Sequence, residues 1–244
     1  ETDYILANYP KVPATKITVI HRGVDESVFN RSFRPSGQWQ AAFFARFPAL
    51  RDKPLVLMPG RLSRWKGQEA FIELIGILRR RGIRCHGVIV GGPTPGKEAY
   101  ERELKARVTE AGLDDWLSFV GHRRDIAEIY SIGAVVCNLS EHPEPFGRTL
   151  IEALALGTPA VAFDVGGPAE SLKACLPQGL VAPGDLDALA DRVEMMLRQP
   201  PPFDLPSQFT LAEQARKTLA DYDGLLSGEA SLAPTGTDRD TGDR

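Results

Sequence analysis

Short apolar runs alternate along most of the chain with longer segments that carry apolar residues at helical spacing. The run PLVLMPG (54–60) is continuously apolar and ends in glycine, which is typical of a buried strand. The segment QEAFIELIGILRRRG (68–82) repeats apolar residues every three or four positions and has arginines before its closing glycine, which is typical of a helix. Further strands are predicted at 85–92, 116–121, 134–140 and 159–164, and further helices at 97–112, 125–133, 147–157 and 167–174.

Strands that alternate with helices across short loops indicate repeated βαβ units. We therefore predict an α/β domain over residues 54–182, with a Rossmann-like, doubly wound parallel sheet of five or six strands and helices on both faces. A short strand is also predicted at 16–20, whereas residues 31–53 have no clear pattern.

The end of the chain predicts two more helices and a tail. The segment 183–199 reads as a helix, with Asp185 as its N-cap rather than as part of a metal-binding DxD motif. Residues 209–226 form an amphipathic pattern. The small and polar residues 227–244 predict a disordered tail.

Composition excludes several functional classes. The 244 residues are 43% hydrophobic and carry a net charge of −3, so no bulk attraction to nucleic acid is expected. The three cysteines are far apart and read as buried, reduced thiols rather than as disulfides or a zinc site: Cys85, Cys137 and Cys175. No apolar run approaches the length of a membrane-spanning helix. The chain does not begin with Met, and we expect a fragment of a longer protein.

Ligands of doubly wound sheets bind outside the carboxyl ends of the strands, so the strand-to-helix loops hold the candidate residues. In PGRLSRWKG (59–67), Gly60 ends the strand, and Arg61 and Lys66 flank a turn that leads to a helix start. Two cations there favour a phosphate or diphosphate over solvated surface charges. The glycine-rich loop 90–100 is not a dinucleotide fingerprint, and a plain turn explains it at least as well as a ligand contact.

The loop after the third predicted strand carries His122 and Arg123, which could contact a nucleotide base or be merely solvated. Asp125 is predicted to cap the helix that follows.

The loop in EHPEPFGRTLIEALALGTP (141–159) carries Glu144 and Glu152, separated by seven residues. A helix that starts near Gly147 would present free backbone N–H groups to an anion, and the two carboxylates would accept hydrogen bonds from sugar hydroxyls. The opposite reading, in which Glu152 only favours the helix dipole and Glu144 is solvated, is equally compatible with these residues. The predicted anion site uses the amides of Arg148, Thr149 and Leu150.

Several motifs together resemble the C-terminal half of the retaining, GT-B-fold glycosyltransferases of family 4, from about residue 16 to 200. They are ITVIHRGVDESVF, GRLSRWKG, VGHRRDIAEIY, EPFGRTLIEALALGTPAVAFDVGGPAESL and APGDLDALA. The short sequences RGVD, RWKGQ and GHRRD are most similar to those of bacterial members that build lipopolysaccharide or other surface polysaccharides. The start, TDYILANYP, resembles the last strand of the N-terminal domain and the segment that crosses between the domains.

This resemblance implies a role for each candidate residue. Arg61 and Lys66 would neutralise the donor diphosphate, Glu144 would contact sugar hydroxyls, and Glu152 would bind the ribose. Arg61, Lys66 and Glu144 are thereby the implied catalytic residues. The implied donor-binding residues, including the backbone around the phosphate and the base, are Gly60, His122, Arg123, Phe146, Gly147, Arg148, Thr149, Leu150 and Glu152.

The resemblance also implies the partners. The substrate would be a nucleoside-diphosphate sugar, with no metal and no other cofactor, and the acceptor would be a glycan or lipid-linked saccharide bound by an N-terminal domain that this chain lacks. We expect a cytoplasmic protein, and peripheral attachment to the inner face of the membrane stays open for a full-length protein. The implied domains are a remnant of the missing domain (1–15), the donor-binding domain (16–206), a C-terminal helix (207–226) and the tail (227–244).

Two other hypotheses remain. A chain with the fold but without the acceptor half could be a non-catalytic nucleotide-sugar binding module. A sugar-nucleotide epimerase on two Rossmann-like domains would need a catalytic His in a matching context, which this sequence does not offer.

Overall fold

In the computed structural model, the described residues are 2–227, without the side chains of residues 3 and 4. The strands are β1 (Leu55–Pro59), β2 (His86–Val90), β3 (Leu117–Gly121), β4 (Val135–Asn138), β5 (Ala160–Phe163) and β6 (Leu180–Val181). The helices are α1 (Thr2–Asn8), α2 (Gly37–Arg46), α3 (Gln68–Arg80), α4 (Glu98–Glu110), α5 (Ile126–Ser131), α6 (Arg148–Ala155), α7 (Gly166–Cys175), α8 (Leu186–Arg198) and α9 (Leu211–Leu226).

The six strands form one parallel sheet in the order β3-β2-β1-β4-β5-β6. Every residue of β2, β4 and β5 is buried, as expected for strands covered on both sides. Helix α3 packs against α4 and α8, while α6 packs against α5 and α7, so the helices form two groups around the sheet. This arrangement confirms the predicted Rossmann-like, doubly wound α/β fold.

Two predictions near the start of the chain are wrong. Residues 16–20 form no strand, because no neighbouring strand supplies hydrogen bonds and Val19 is 54% exposed. The segment instead leads to Val24, whose backbone bonds to Phe209 and Leu211 at the start of α9. The stretch TDYILANYP was expected to resemble a strand, but it contains helix α1. This segment lies beside no edge of the sheet, and a helix forms its backbone hydrogen bonds within itself.

Helix α2 fills the region that had no clear pattern. Ser36 caps it, because its hydroxyl accepts a hydrogen bond from the backbone N–H of Trp39 at 3.1 Å. The helix buries Phe43, on whose ring the Trp39 ring is stacked.

The C-terminal predictions hold where the chain is described. Asp185 caps α8, as predicted, by accepting a hydrogen bond from the N–H of Ala188 at 2.9 Å, and Asp187 pairs with Arg81. Helix α9 matches the predicted last helix. The predicted disordered tail lies outside the described residues, apart from Ser227. The three cysteines are buried and free, as predicted.

Candidate functional site

The order of the strands places a crevice between β1 and β4. From β1 the chain continues to β2 and β3 on one side of the sheet, and from β4 it continues to β5 and β6 on the other side. The loops that follow β1 and β4 therefore diverge at the carboxyl ends of these strands. The β1 loop contains Arg61 and Lys66, and the β4 loop contains Glu144. The candidate residues of these two loops therefore flank the switch point of the sheet.

Lys66 and Glu144 form the central ion pair of this crevice. Lys66 Nζ lies 2.6 Å from Glu144 Oε2, and the two side chains are only 17% and 13% exposed. The ammonium group also lies over the ring of Trp65, 4.3 Å from its centroid. The sequence places both residues at one edge of the sheet, but nothing in their spacing showed that they touch.

The second carboxylate oxygen of Glu144 is held by two residues that the sequence analysis did not single out. The hydroxyl of Ser140 and the side-chain amide of Asn138 both donate to Oε1, the amide at 3.4 Å. Both donors are buried. The only signal for them was polarity at the end of the apolar run AVVCNLS, where a strand buried on both sides has no solvent for a polar group.

Arg61 lies at the solvent side of the crevice. Its side chain is exposed and forms no ion pair within the part of the chain that the structure describes. Its backbone carbonyl accepts a hydrogen bond from the amide of Gln68, a residue that is 1% exposed at the start of α3. The buried glutamine thus fixes the backbone of Arg61 and leaves the guanidinium free to meet an anion.

Close contacts between backbones hold the loops together. A Cβ on Gly67 would lie 2.0 Å from the carbonyl oxygen of Leu139, so only glycine lets the β1 loop approach the end of β4. A Cβ on Gly91 would lie 1.8 Å from the carbonyl oxygen of Gly60. The glycine-rich loop after β2 therefore has a packing role beside Gly60.

Gly147 is the N-cap residue of helix α6 and has the left-handed backbone conformation (φ +67°). The N–H of Leu150 was predicted to be free, but it donates to the carbonyl of Gly147 at 3.0 Å. This i to i+3 hydrogen bond tightens the first turn of the helix. Among the described residues, the N–H groups of Arg148 and Thr149 have no backbone acceptor. The predicted anion site thus keeps two of its three amides.

Glu152 is buried one turn into α6 and is 8% exposed. Arg148 Nε lies 3.0 Å from its Oε1, although the arginine side chain is itself 66% exposed. Burial raises the pKa of Glu152, and the positive charge of Arg148 opposes this shift in part. The hydroxyl of Thr149 is also buried there without a partner among the described residues. Glu152 is therefore a desolvated carboxylate beside the helix start.

His122 and Arg123 directly follow β3, where His122 lies beside the loop after β2: a Cβ on Gly92 would lie 3.8 Å from the Cβ of His122. His122 is exposed, whereas Arg123 forms a bidentate ion pair with Asp125. Asp125 was predicted to cap α5, but its side chain forms no capping hydrogen bond. Its carboxylate instead accepts hydrogen bonds from Arg123 and from Trp39 Nε1, the latter at 2.7 Å. This cluster ties α2 to the β3 loop.

Comparison with known proteins decides the family. The family model described as glycosyl transferases, group 1, matches residues 40–218, which is more than half of the chain. The chain belongs to the group 1 glycosyl transferases.

Two solved structures and one curated relative show how much of such a protein this glycosyl transferase chain spans. It is 32% identical over 234 residues to the lipopolysaccharide core biosynthesis mannosyltransferase LpsB of Rhizobium meliloti (strain 1021), covering 90% of this chain but only 63% of that protein. It is 25% identical to the C-terminal domain of the group 1 protein LpcC from Francisella tularensis, with a TM-score of 0.60, covering 86% of this chain and all of that one.

The second solved structure, Anabaena Alr3699/HepE in complex with UDP and glucose, shares the fold. The TM-score is 0.69 at 24% identity, with 90% of this chain and 58% of that one covered. These likenesses confirm the predicted C-terminal half of a GT-B fold for this group 1 glycosyl transferase.

Within the described residues, no three His, Cys, Asp or Glu side chains are grouped so that they could hold a metal ion. In the same part of the chain, no helix is both long and apolar enough to cross a lipid bilayer.

Proposed function

We propose that this chain is the donor-binding half of a retaining glycosyltransferase of family 4. The whole protein would transfer a sugar from a nucleoside-diphosphate sugar to a glycan or lipid-linked acceptor in the synthesis of lipopolysaccharide or another surface polysaccharide. The observation that carries this proposal is the desolvated Lys66–Glu144 pair at the switch point, where a cation and a hydrogen-bond acceptor stand side by side. A sugar diphosphate offers the matching pair of groups, an anion and a ring of hydroxyls.

The charges fit a reaction in which a diphosphate leaves. As the bond between the anomeric carbon and the phosphate oxygen breaks, negative charge grows on that oxygen, and cations fixed beforehand stabilise it. Lys66 can donate to phosphate while it also contacts Glu144, since an ammonium group has three donors. Arg61 and the free amides at the start of α6 would bind the remaining phosphate oxygens. Glu152 would accept hydrogen bonds from the ribose.

Retention of configuration follows if the acceptor attacks from the face that the diphosphate leaves. The acceptor oxygen bonds to the anomeric carbon while the phosphate oxygen departs and takes the proton of the acceptor hydroxyl. No metal or additional base is required for this balance. The acceptor would be positioned by residues outside this chain, which spans less than two thirds of the Rhizobium relative.

Calorimetry on the chain as it stands tests the donor site. We expect binding of at least one nucleotide sugar among UDP-, GDP- and ADP-sugars, and a loss of about tenfold or more in affinity for Lys66→Ala and Glu152→Ala, because each removes a charge-assisted hydrogen bond. Lys105→Ala is the matched control, since Lys105 is an exposed lysine of α4 that also pairs with a glutamate, Glu101, at 2.7 Å. No binding by any of the three classes, or equal effects of Lys66→Ala and Lys105→Ala, would contradict the proposal.

A further inference from the structure

Both oxygens of the Glu144 carboxylate are engaged by side chains of the protein itself. Oε2 faces Lys66 Nζ, and Oε1 faces the hydroxyl of Ser140 and the amide of Asn138. Resting on the proposed function, we propose that Ser140 and Asn138 are positioning residues that aim Glu144, so that it accepts a hydrogen bond from a single hydroxyl of the donor sugar through Oε2.

The argument starts from the acceptor capacity of a carboxylate. Its two oxygens offer about four lone-pair directions, two on each oxygen. Ser140 and Asn138 occupy both directions on Oε1, and Lys66 occupies one on Oε2. One direction on Oε2 remains, next to the ammonium group. A hydroxyl that donates there is the one nearest to the phosphate that Lys66 would bind.

The two positioning groups are themselves fixed. The Oδ1 atom of Asn138 accepts a hydrogen bond from the backbone N–H of Ser140 at 3.2 Å, so its Nδ2 faces Glu144. Asn138 is the last residue of β4, and the side chains of Asn138 and Ser140 belong to residues that are 8% and 4% exposed. The last residue of a central strand and a buried residue two positions after it therefore orient the carboxylate.

The backbone of Glu144 is held as well. Its carbonyl accepts a hydrogen bond from the N–H of Gly167 at 2.8 Å, in the first turn of α7. A Cβ on Gly166 would lie 2.9 Å from both the N and the O atom of Glu144, so the two segments are in close contact. Glu144 therefore has little freedom to follow a sugar with a different pattern of hydroxyls, and selectivity arises from its fixed position.

The test compares each nucleoside diphosphate with its own sugar conjugate, so that the contribution of the sugar is isolated. The probes are UDP with UDP-glucose and GDP with GDP-mannose, measured by calorimetry on the whole chain. For Ser140→Ala we expect the gain in affinity from the sugar to fall about tenfold, while the affinity for the free diphosphate stays within about twofold of the original protein. Ser140→Thr, which restores the hydroxyl, should recover part of the gain.

Two further variants separate positioning from folding. Ser118→Ala removes a half-buried hydroxyl that faces His86, far from the crevice, and should leave both affinities unchanged. Asn138→Asp keeps the size of the side chain but places a second carboxylate against Glu144, so it should also reduce the gain in affinity from the sugar. This variant carries the test if Ser140→Ala does not fold. Thermal unfolding followed by circular dichroism establishes that each variant is folded.

Single-deoxy donors give the readout that a merely structural role would not affect. In the original protein, one deoxy sugar alone should lose the contribution of Glu144, and in Ser140→Ala this difference between deoxy donors should disappear. If sugar conjugates bind but Ser140→Ala and Asn138→Asp keep the full gain, or if two deoxy donors lose it equally, the positioning role is wrong while the donor site stands. If neither diphosphates nor conjugates bind the original protein, the proposed function and this inference fail together.

Discussion

Arg148 and Glu152 form an ion pair in which one partner is exposed to solvent and the other is buried. The separation of Arg148 Nε and Glu152 Oε1 is 3.0 Å, with side chains that are 66% and 10% exposed. Because water screens the arginine, the pair only partly offsets the cost of burying the glutamate, and the pKa of Glu152 stays raised by burial.

Glu152→Gln should therefore change stability and nucleotide affinity in opposite directions. A carboxyl whose pKa is raised by folding favours the native state below its unfolded pKa, and this stabilisation is lost as the pH rises through the folded pKa. At pH 7 the ionised Glu152 costs stability, so the glutamine variant should melt at a higher temperature without ligand. If Glu152 binds the ribose as proposed, the affinity for the nucleotide should fall about tenfold, because the charge-assisted bond would be lost.

Thermal unfolding at pH 7 and calorimetry check this pair of results. Arg148→Met is the companion variant: it removes the counter-charge beside Glu152 and should lower the melting temperature. A lower melting temperature for Glu152→Gln would mean that the carboxylate stabilises the fold.

Gly147→Ala should destabilise the protein by more than the strain of its backbone conformation. Alanine in the left-handed region costs about 1–2 kcal/mol, and the new Cβ would lie 2.8 Å from Cα and Cγ of Pro168 in α7. Gly184→Ala is the matched control, because Gly184 has a φ of +81° with no atom within 4 Å of a new Cβ. Urea unfolding measures both, and equal losses of free energy would show that the contact with Pro168 has no cost.

Trp39→Phe should loosen α2 through a single hydrogen bond. Burial alone would raise the pKa of Asp125, but hydrogen bonds from Arg123 and Trp39 lower it overall. Phenylalanine keeps the stacking on Phe43 and removes the donor, so the free energy of unfolding should fall by about 2 kcal/mol.

A double-mutant cycle with Asp125→Asn isolates this contact. Urea unfolding followed by circular dichroism avoids the change in tryptophan fluorescence. We expect the combined loss to differ from the sum of the single losses by about 1 kcal/mol, whereas strictly additive losses would mean that Trp39 and Asp125 are not coupled.

His86 should make stability depend on pH in a defined window. Burial, followed by the charge of Lys53, lowers the pKa of His86 to about 4, with a smaller opposite effect from Asp115. Between about pH 6.5 and pH 4, His86 is protonated in the unfolded chain but neutral in the native protein. The free energy of unfolding therefore falls as the pH is lowered through this range. The slope from this residue should approach about 1.4 kcal/mol per pH unit, and it should be absent in His86→Gln. An unchanged slope in the variant would assign the effect to other groups.

The sequence predicted the fold well because its signals are local and repeated. Buried strands such as β1 and amphipathic helices such as α3 have patterns that no tertiary contact needs to reveal. Residues 16–20 have the composition of a strand, but a strand also needs a neighbour, and the sequence does not say that none is present. Helix α2 could have been found from Ser36, a helix-capping residue that precedes an aromatic-rich segment.

The candidate site was predicted at the level of loops but not of contacts. The positions of Lys66 and Glu144 after β1 and β4 placed them at one edge, whereas their ion pair depends on how the two loops pack across Gly67. Asp125 was predicted to cap a helix, but the competing donors Arg123 and Trp39 come from a side chain two residues away and from a distant helix. Contacts between distant segments are what a single sequence leaves open.

The pairing of β1 with β4 has a consequence for the order in which the protein folds. Val56 and Leu57 lie beside Val135 and Val136, roughly eighty positions apart along the chain. Closing so long a loop carries an entropic cost that local helices do not share, so the crevice can exist only after this non-local step. We therefore expect a bound nucleotide to slow unfolding while leaving the rate of refolding unchanged, because the unfolded chain has no formed site to which the nucleotide can bind.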